Sequence, residues 1–392
     1  MSLGINPRIV NEPRLRAMMA QRGIDAILLR GVTNTKYLSG FFHNGGDHDG
    51  SAGHRPFVVL YCLDPARPPA FIVPSVDLHL AITSSWIEDV RAYATAEFHT
   101  DLDVPLYPDF ESAARAVLHE RQIQGMTIGT EGSQLSRGFA EFLESLLDGN
   151  RIVDISRDIA LVRMVKTDEE THRIRRAIDW TVAAHESFRA AIRPGVTDRE
   201  LYAVAARRMI DEGSEGHQFI FVGTGPTRFA ANARFPTGQA IRSGDFLRVD
   251  MGASCLGYSA DFVRSYYLGQ SSERARDVWR WLCDVEMEVA LSIKPGDTGG
   301  EIFERGHRAI SRHINKFPRE FIGHGIGLIQ NEEPRMCRDN RVPIEPGTVY
   351  CVEFSAYLDD GARPHVEDMY LITETGVEML TRNCPRDLIV PI

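Results

Sequence analysis

The sequence predicts an α+β protein in two parts, a smaller α/β region over residues 1–158 and a larger region with a mainly antiparallel sheet over 159–392. Three observations carry this. Apolar runs alternate with helical patterns through the first part. Two long helical segments open the second. After residue 218 the texture changes to short β-rich runs, interrupted by one helical pair. A length of 392 residues suits two domains of ordinary size.

In chain order, PRLRAMMAQRG (13–23) reads as an amphipathic helix stopped by a glycine, and IDAILL as the strand that follows. After KYLSGFF comes a polar, glycine-rich stretch, HNGGDHDGSAGHR, and then two buried strands, PFVVLYCL and PAFIVP. FESAARAVLHERQ is helical. The second part opens with a helix capped at Thr167 or Asp168. A second helix follows, with Thr197 as N-cap, Glu200 three residues on and a stop at Gly213. FIFVGTG, FLRVDMGA, YSADFVRSYYLG, VYCVEFSAYL and HVEDMYLIT are the strands. DVWRWLCDVEMEVALSI and GEIFERGHRAISRHI are the helical pair between them. No tandem repeat or low-complexity segment is present.

Bulk properties exclude several classes. The apolar fraction of 43% and charged fraction of 25% are those of a soluble globular protein, and a formal charge of −10 argues against nucleic acid or an anionic membrane as partner. No apolar run approaches the roughly 20 residues of a membrane helix, and the first residues contain no apolar signal core, so a cytoplasmic location is expected. Six scattered cysteines without a CxxC pair read as reduced, partly buried thiols.

The chemistry sits in carboxylates placed where strands normally exclude them. Asp250 lies in FLRVDMGA and Asp261 in YSADFV, with SCLG between as a tight turn; a hairpin there brings the two acids side by side. Glu353 in VYCVEFSAYL and Glu367 in HVEDMYLIT repeat the pattern, with DDGARP as the loop. His324 sits in GHGIGL, where glycines let the backbone pass close to a site. Burying an ionised carboxylate is costly unless it is paired or bound to metal. Each residue alone would read as a salt-bridge partner, an edge residue or a turn. Together, four carboxylates and one imidazole form an oxygen-rich set for a bridged pair of divalent ions.

The residues VDMGASCLGYSAD, GHGIGL, PGTVYCVEF and VEDMYLIT resemble the pita-bread metallohydrolases: methionine aminopeptidase, Xaa-Pro aminopeptidase, prolidase and creatinase. LVRMVKTDEE, and the preceding DAILL, KYLSGF and FVVLY, resemble the Xaa-Pro peptidase and creatinase branch, so the likeness spans nearly the whole chain. It implies a pita-bread catalytic domain behind a creatinase-like N-terminal domain, and two divalent ions, manganese first, with iron, cobalt or zinc as alternatives. Asp250 would chelate one ion, Asp261 and Glu367 would bridge both, and His324 and Glu353 would complete the second. Water activated between the ions would attack, with Glu353 passing its proton to the leaving nitrogen.

The surrounding positions depart from that pattern. The branch usually carries a histidine 17 residues before the first metal Asp, where this chain has Ala233 beside Asn232; one inserted residue would move a different side chain in, and the nearest upstream histidine is His217. A second histidine, seven residues after the metal His, is Asn331 here, and the Arg common two before the last Glu is His365. Alanine donates nothing, and one lost oxyanion donor costs on the order of 10²–10³ in rate. Asn331 can hydrogen-bond but not carry a proton, whereas His365 can shuttle one. In the glycine-rich loop, which also holds His43, Asp47, His48 and Asp49, the expectation is that His54 or Arg55 reaches a partner subunit's cleft to hold a substrate carboxylate. A homodimer follows from the same resemblance and from the prevalence of symmetric dimers. The substrate is thus a dipeptide or small molecule. Xaa-Pro peptide cleavage leads, a small non-peptide amide or amidine of the creatinase or ectoine hydrolase type is the alternative, and a lyase on the same scaffold or a non-catalytic binding module come behind.

Overall fold

The computed structural model describes residues 7–42, 56–95, 104–132, 135–224, 235–314, 317, 319–359, 361–387 and 389–390. The chain divides into two compact units, Met1–Arg163 and Met164–Ile392.

In the first unit, seven strands form one mixed sheet: β1 (Ala26–Leu29), β2 (Val58–Cys62), β3 (Ala70–Pro74), β4 (Asp89–Tyr93), β5 (Leu106–Tyr107), β6 (Thr127–Thr130) and β7 (Arg151–Asp154), in the order β5-β4-β3-β2-β1-β6-β7. Only β2 runs antiparallel to its neighbours. Strands β1, β2 and β3 are buried throughout, as their unbroken apolar runs require. The helices are α1 (Glu12–Arg22), α2 (Val32–Ser39), α3 (Leu78–Ser84), α4 (Phe110–Glu120), α5 (Arg137–Leu146) and α6 (Ser156–Met164). α1 starts at Pro13 in its first turn and stops at Gly23, whose φ of 63° only glycine adopts freely. KYLSG belongs to helix α2, which ends at Gly40.

The second unit opens with α7 (Asp168–Ala191) and α8 (Asp198–Asp211). Thr167 with Glu170, and Thr197 with Glu200, form complete capping boxes. Ten strands follow in one sheet: β8 (His217–Thr224), β9 (Phe246–Cys255), β10 (Tyr258–Ser259), β11 (Phe262–Leu268), β12 (Phe321–Gly325), β13 (Glu332–Cys337), β14 (Val349–Ser355), β15 (His365–Thr373), β16 (Gly376–Met379) and β17 (Ile389–Val390). The core order is β10-β9-β11-β15-β14-β12-β13, and every pairing except β11–β17 is antiparallel. Helices α9 (Glu273–Leu291) and α10 (Gly299–Ile310) are inserted between β11 and β12.

Side chains alternate between the two faces of a strand, and here the faces differ sharply. One face packs on helices: Tyr350, Val352, Phe354, Val366, Tyr370 and Ile372 join Val278, Leu282 and Val289 of α9 in one apolar core. The other face carries the acids. Alternation along each strand thus separates a mainly apolar, helix-packed face, crossed by the buried Arg264–Asp368 pair, from the face that carries the candidate ligands.

Candidate metal centre

The register assembles the site row by row. Asp250 lies opposite Val263, Val263 opposite Glu367, and Glu367 opposite Glu353, so one line of paired residues crosses β9, β11, β15 and β14. Two residues further along each strand comes a second line. Arg248 lies opposite Ser265, Ser265 Oγ bonds the backbone of His365, and His365 lies opposite Ser355. On the other side of the acids, His324 of β12 lies opposite Cys351, and Cys351 opposite Met369. Asp261 immediately precedes β11, one step beyond the Phe262–Met251 pair. Asp250 and Asp261 are thus diagonal neighbours, and the directly opposed acids are Glu353 and Glu367.

Two local devices hold this register. Cys255 and Tyr258 close a two-residue turn in which Leu256 and Gly257 have φ of 49° and 84°, the positive pair that a twisted hairpin favours. The loop before β15 closes with Leu358 N–H donating to Ala362 O at 2.9 Å and Ala356 N–H to Pro364 O at 3.1 Å.

All five acidic and imidazole residues are buried, from 2% exposed at Asp261 to 8% at Asp250. Asp261, His324, Cys351 and Glu367 bring ligand atoms within 4.8 Å of one another, as do Glu353, His365 and Glu367. The His324 ring is oriented by its Nδ1, 3.1 Å from Gly325 O. A carbonyl only accepts, so Nδ1 carries the proton and Nε2 keeps its lone pair. That lone pair stands 3.7 Å from both Asp261 Oδ2 and Glu367 Oε1, too far for a hydrogen bond.

The fit to a cation rests on orphaned oxygens. Asp250 Oδ1, Asp261 Oδ1 and Glu367 Oε1 are buried with no hydrogen-bond partner among the described residues. Buried carboxylate oxygens without partners, one of them Glu367 Oε1 at 3.7 Å from the His324 lone pair, are costly as they stand, and divalent cations are the groups that reverse the sign. The set of hard oxygens and one nitrogen suits them.

Titration follows the same electrostatics. Burial, and then the charge of Asp250, push the Asp261 carboxyl well above the usual range. Burial, followed by Asp261, does the same to Glu367, and burial raises Asp250 against the pull of Arg248. Glu353 is the exception. Burial alone would raise it, but contact with Arg319 and a hydrogen bond from His365 hold it well below. Burial lowers His324, and burial followed by Arg248 lowers His365 to about 3.

The flanking residues differ in placement. His365 is buried, with Arg248 Nε donating to its Nδ1 at 2.9 Å and its Nε2 at 2.9 Å from Glu353 Oε2. Because Nδ1 accepts, Nε2 bears the hydrogen and donates to Glu353. The ring is therefore a neutral link between Arg248 and Glu353, rather than the free shuttle its sequence position suggests. Asn331 is exposed, and the polar contact from that segment comes from its neighbour: Gln330 Nε2 donates to Asp261 Oδ2 at 3.0 Å. His217 opens β8 and its ring is 3.0 Å from Tyr202 OH. Ala233, Asn232, His54, Arg55 and the other polar residues of the 43–55 loop lie outside the described residues.

Sequence reasoning missed Arg248, Arg319 and Gln330. Arg248 was within reach: two residues before Asp250 on a strand, it shares that residue's face. Arg319 precedes β12 in a stretch without a periodic pattern, and only the folded chain shows it reaching Glu353. Cys351, read as apolar filler, is fully buried beside the acids, and burial and Asp261 keep its thiol protonated by raising its pKa far above normal.

Comparison with known proteins identifies the family from sequence. Residues 172–374 match the model of metallopeptidase family M24, and residues 13–165 that of the creatinase/prolidase N-terminal domain. An uncharacterized peptidase, YqhT, of Bacillus subtilis is 25% identical over 96% of this chain and 99% of its own. A Pyrococcus horikoshii Xaa-Pro dipeptidase is 24% identical over 97% and 99%. Among solved structures, an Xaa-Pro dipeptidase from Bacillus anthracis superposes with a TM-score of 0.79 at 24% identity, covering 96% of this chain and 98% of its own. An X-Pro aminopeptidase from Thermotoga maritima gives 0.79 at 23%, covering 97% and 99%. At these identities the structures establish a shared fold.

Proposed function

The chain belongs to metallopeptidase family M24, and from that premise we propose that it hydrolyses a C–N bond with divalent ions held by Asp250, Asp261, His324, Glu353 and Glu367, its substrate an Xaa-Pro dipeptide or short peptide. The observation that carries the reading is the set of buried, partnerless oxygens on Asp250, Asp261 and Glu367 in the sheet that also holds the His324 lone pair, 3.7 Å from Glu367 Oε1. When bound, the ions supply Lewis acidity that polarises the scissile carbonyl and makes water acidic enough to attack near neutral pH. The chain's own residues do the rest. Glu353, kept ionised by Arg319, takes the proton from the attacking water and returns it to the leaving nitrogen. His365, locked by Arg248, donates to Glu353 Oε2 and fixes which oxygen is free to act. Gln330 orients Asp261.

The Xaa-Pro assignment is supported by dipeptidase relatives that align over nearly their whole length. A second reading, a small non-peptide amide or amidine, is favoured by one observation: Asn331 is exposed and the basic groups nearest the acids are Arg248 and Arg319, an altered surround for peptide binding. Manganese as the preferred ion, a homodimer and a cytoplasmic location belong to the same proposal. Among the described residues no helix is long and apolar enough to cross a membrane.

The test is a panel of Ala-Pro, Gly-Pro, longer Xaa-Pro peptides and small amides, with Mn²⁺ or Fe²⁺ restored to chelator-stripped protein. Metal-dependent release of proline, abolished in Asp261→Ala, is the expected result. Cleavage of amides alone would move the assignment to the second reading. No C–N hydrolysis under any metal would sink both.

A further inference from the structure

Residues 326–331, between β12 and β13, form an irregular turn, yet this turn delivers a side chain to a candidate ligand: Gln330 Nε2 donates to Asp261 Oδ2 at 3.0 Å. Beneath the turn lies a salt bridge. Lys166 Nζ donates to Glu332 Oε2 at 2.8 Å, with both side chains only 1% exposed. Lys166 immediately precedes Thr167, the N-cap of α7, and Glu332 opens β13 opposite Gly325. A Cβ on Gly327 would sit 2.8 Å from Glu332 Oε2 and 3.1 Å from Lys166 Cε, so the turn lies directly against the pair. Gly327 O accepts from Ser259 N–H at 3.0 Å, and the adjoining Tyr258 OH donates to Glu170 Oε1 at 3.0 Å in the first turn of α7. The two segments that meet at Asp261, the hairpin that carries it and the turn that carries Gln330, are thus both pinned to the start of α7 by buried polar contacts.

A buried ion pair is a costly way to hold two segments together. Well-packed apolar side chains of similar volume commonly give equal or greater stability. What the pair adds is direction. An ammonium–carboxylate hydrogen bond at 2.8 Å fixes both distance and angle, whereas apolar side chains tolerate sliding. Direction matters for a turn that has no ladder of its own, because the bond from Gln330 to Asp261 weakens steeply with misalignment. Neither Lys166 nor Glu332 belongs to the groups whose ligand atoms converge. Their effect on the centre passes through the turn.

We propose that the Lys166–Glu332 ion pair is a positioning device for the metal centre, setting the 326–331 turn so that Gln330 meets Asp261 and orients its carboxylate toward the cation. The inference rests on the metal-binding reading above and adds to it two residues that act through Gln330. Both are positioning residues.

Metal affinity separates this role from plain stability. Mn²⁺ is titrated into chelator-stripped protein by calorimetry, and urea midpoints report folding. Gln330→Ala should weaken Mn²⁺ binding by about 10- to 100-fold, the usual effect of losing a group that orients a metal ligand. The double variant Lys166→Met with Glu332→Leu removes both charges at once and should keep a urea midpoint near that of the wild type. It should nonetheless lose Mn²⁺ affinity to the same degree as Gln330→Ala. Adding Gln330→Ala to it should weaken binding by less than about twofold further, since the contact is already gone. Hydrogen exchange gives a second measurement. In Glu332→Gln the 326–331 amides should exchange roughly tenfold faster, while those of α9 keep the wild-type rate. If the double variant does not fold, the exchange experiment carries the test. Wild-type Mn²⁺ affinity in a folded double variant, losses that multiply when Gln330→Ala is added, or unchanged exchange over 326–331 would each overturn the inference. A wild type that binds no divalent ion would overturn the metal-binding reading, and exchange would still decide whether the pair holds the turn.

Discussion

Asp261 and Glu353 are buried carboxylates of one cluster, yet their neighbours drive them in opposite directions. Asp261 faces Asp250 and rises; Glu353 faces Arg319 and His365 and falls. Outside the centre, Glu170 shows the same physics in a form open to measurement. It closes the capping box of α7, accepts from Tyr258 OH at 3.0 Å, and is pushed up to about 7 by burial. Its unfolded value is the ordinary one for glutamate, near 4.3. The folded state therefore binds the extra proton between about 4.3 and about 7. This contribution to stability is fully present below that window and is lost as pH rises through it. Glutamine keeps the capping box but cannot ionise. Glu170→Gln is thus expected to gain stability relative to the wild type as pH rises from 5 to 8, measured by urea midpoints; a gap that stays constant across that range would refute the assignment.

At the scale of elements, the backbone around His324 is shaped by two glycines. A Cβ on Gly325 would sit 2.1 Å from Glu333 O, and one on Gly323 would sit 2.1 Å from Cys351 O, so neighbouring strands approach where no side chain fits. Gly325→Ala is expected to destabilise the chain by about 1–3 kcal/mol and weaken metal retention. Gly138→Ala, in α5 with nothing within 4 Å of the added methyl, should be neutral or stabilising by up to about 1 kcal/mol. Denaturant titration of the pair separates close packing from a general cost of losing glycine. The strands, capping boxes and both hairpins of the centre were legible in the sequence because each depends on residues close in the chain. The position of Gln330 rather than Asn331 against Asp261 was not. One residue's difference in an irregular segment decides which side chain turns inward, and no periodicity constrains it.

At the scale of the catalytic unit, the helix-side face of the sheet is locked by charge. Arg264, fully buried, donates to Asp368 Oδ1 at 2.8 Å and to the carbonyls of Glu367, Cys384 and Pro385. Arg386 reaches Asp368 Oδ2 at 2.5 Å and Glu286 of α9 at 2.7 Å, and Tyr370 OH donates to Glu286 at 2.7 Å. Strands β11 and β15, helix α9 and the C-terminal segment thus share one network directly behind the acids. Asp368→Ala leaves the buried Arg264 and the partly buried Arg386 without their common anion and is expected to cost about 3–5 kcal/mol by urea unfolding. A loss under 1 kcal/mol would mean that the network is not a structural lock.

By itself the sequence determined the α+β class and marked Asp250, Asp261, His324, Glu353 and Glu367 as one candidate group. Both follow from short apolar runs, turns and the cost of a carboxylate in a strand. Only the tertiary structure decided which acid meets which cation: Arg248 on Asp250, Arg319 on Glu353, and His365 held between Arg248 and Glu353. Charge pairing at 3 Å depends on side chains brought together from separate strands and from irregular chain, and a linear pattern carries no record of that distance.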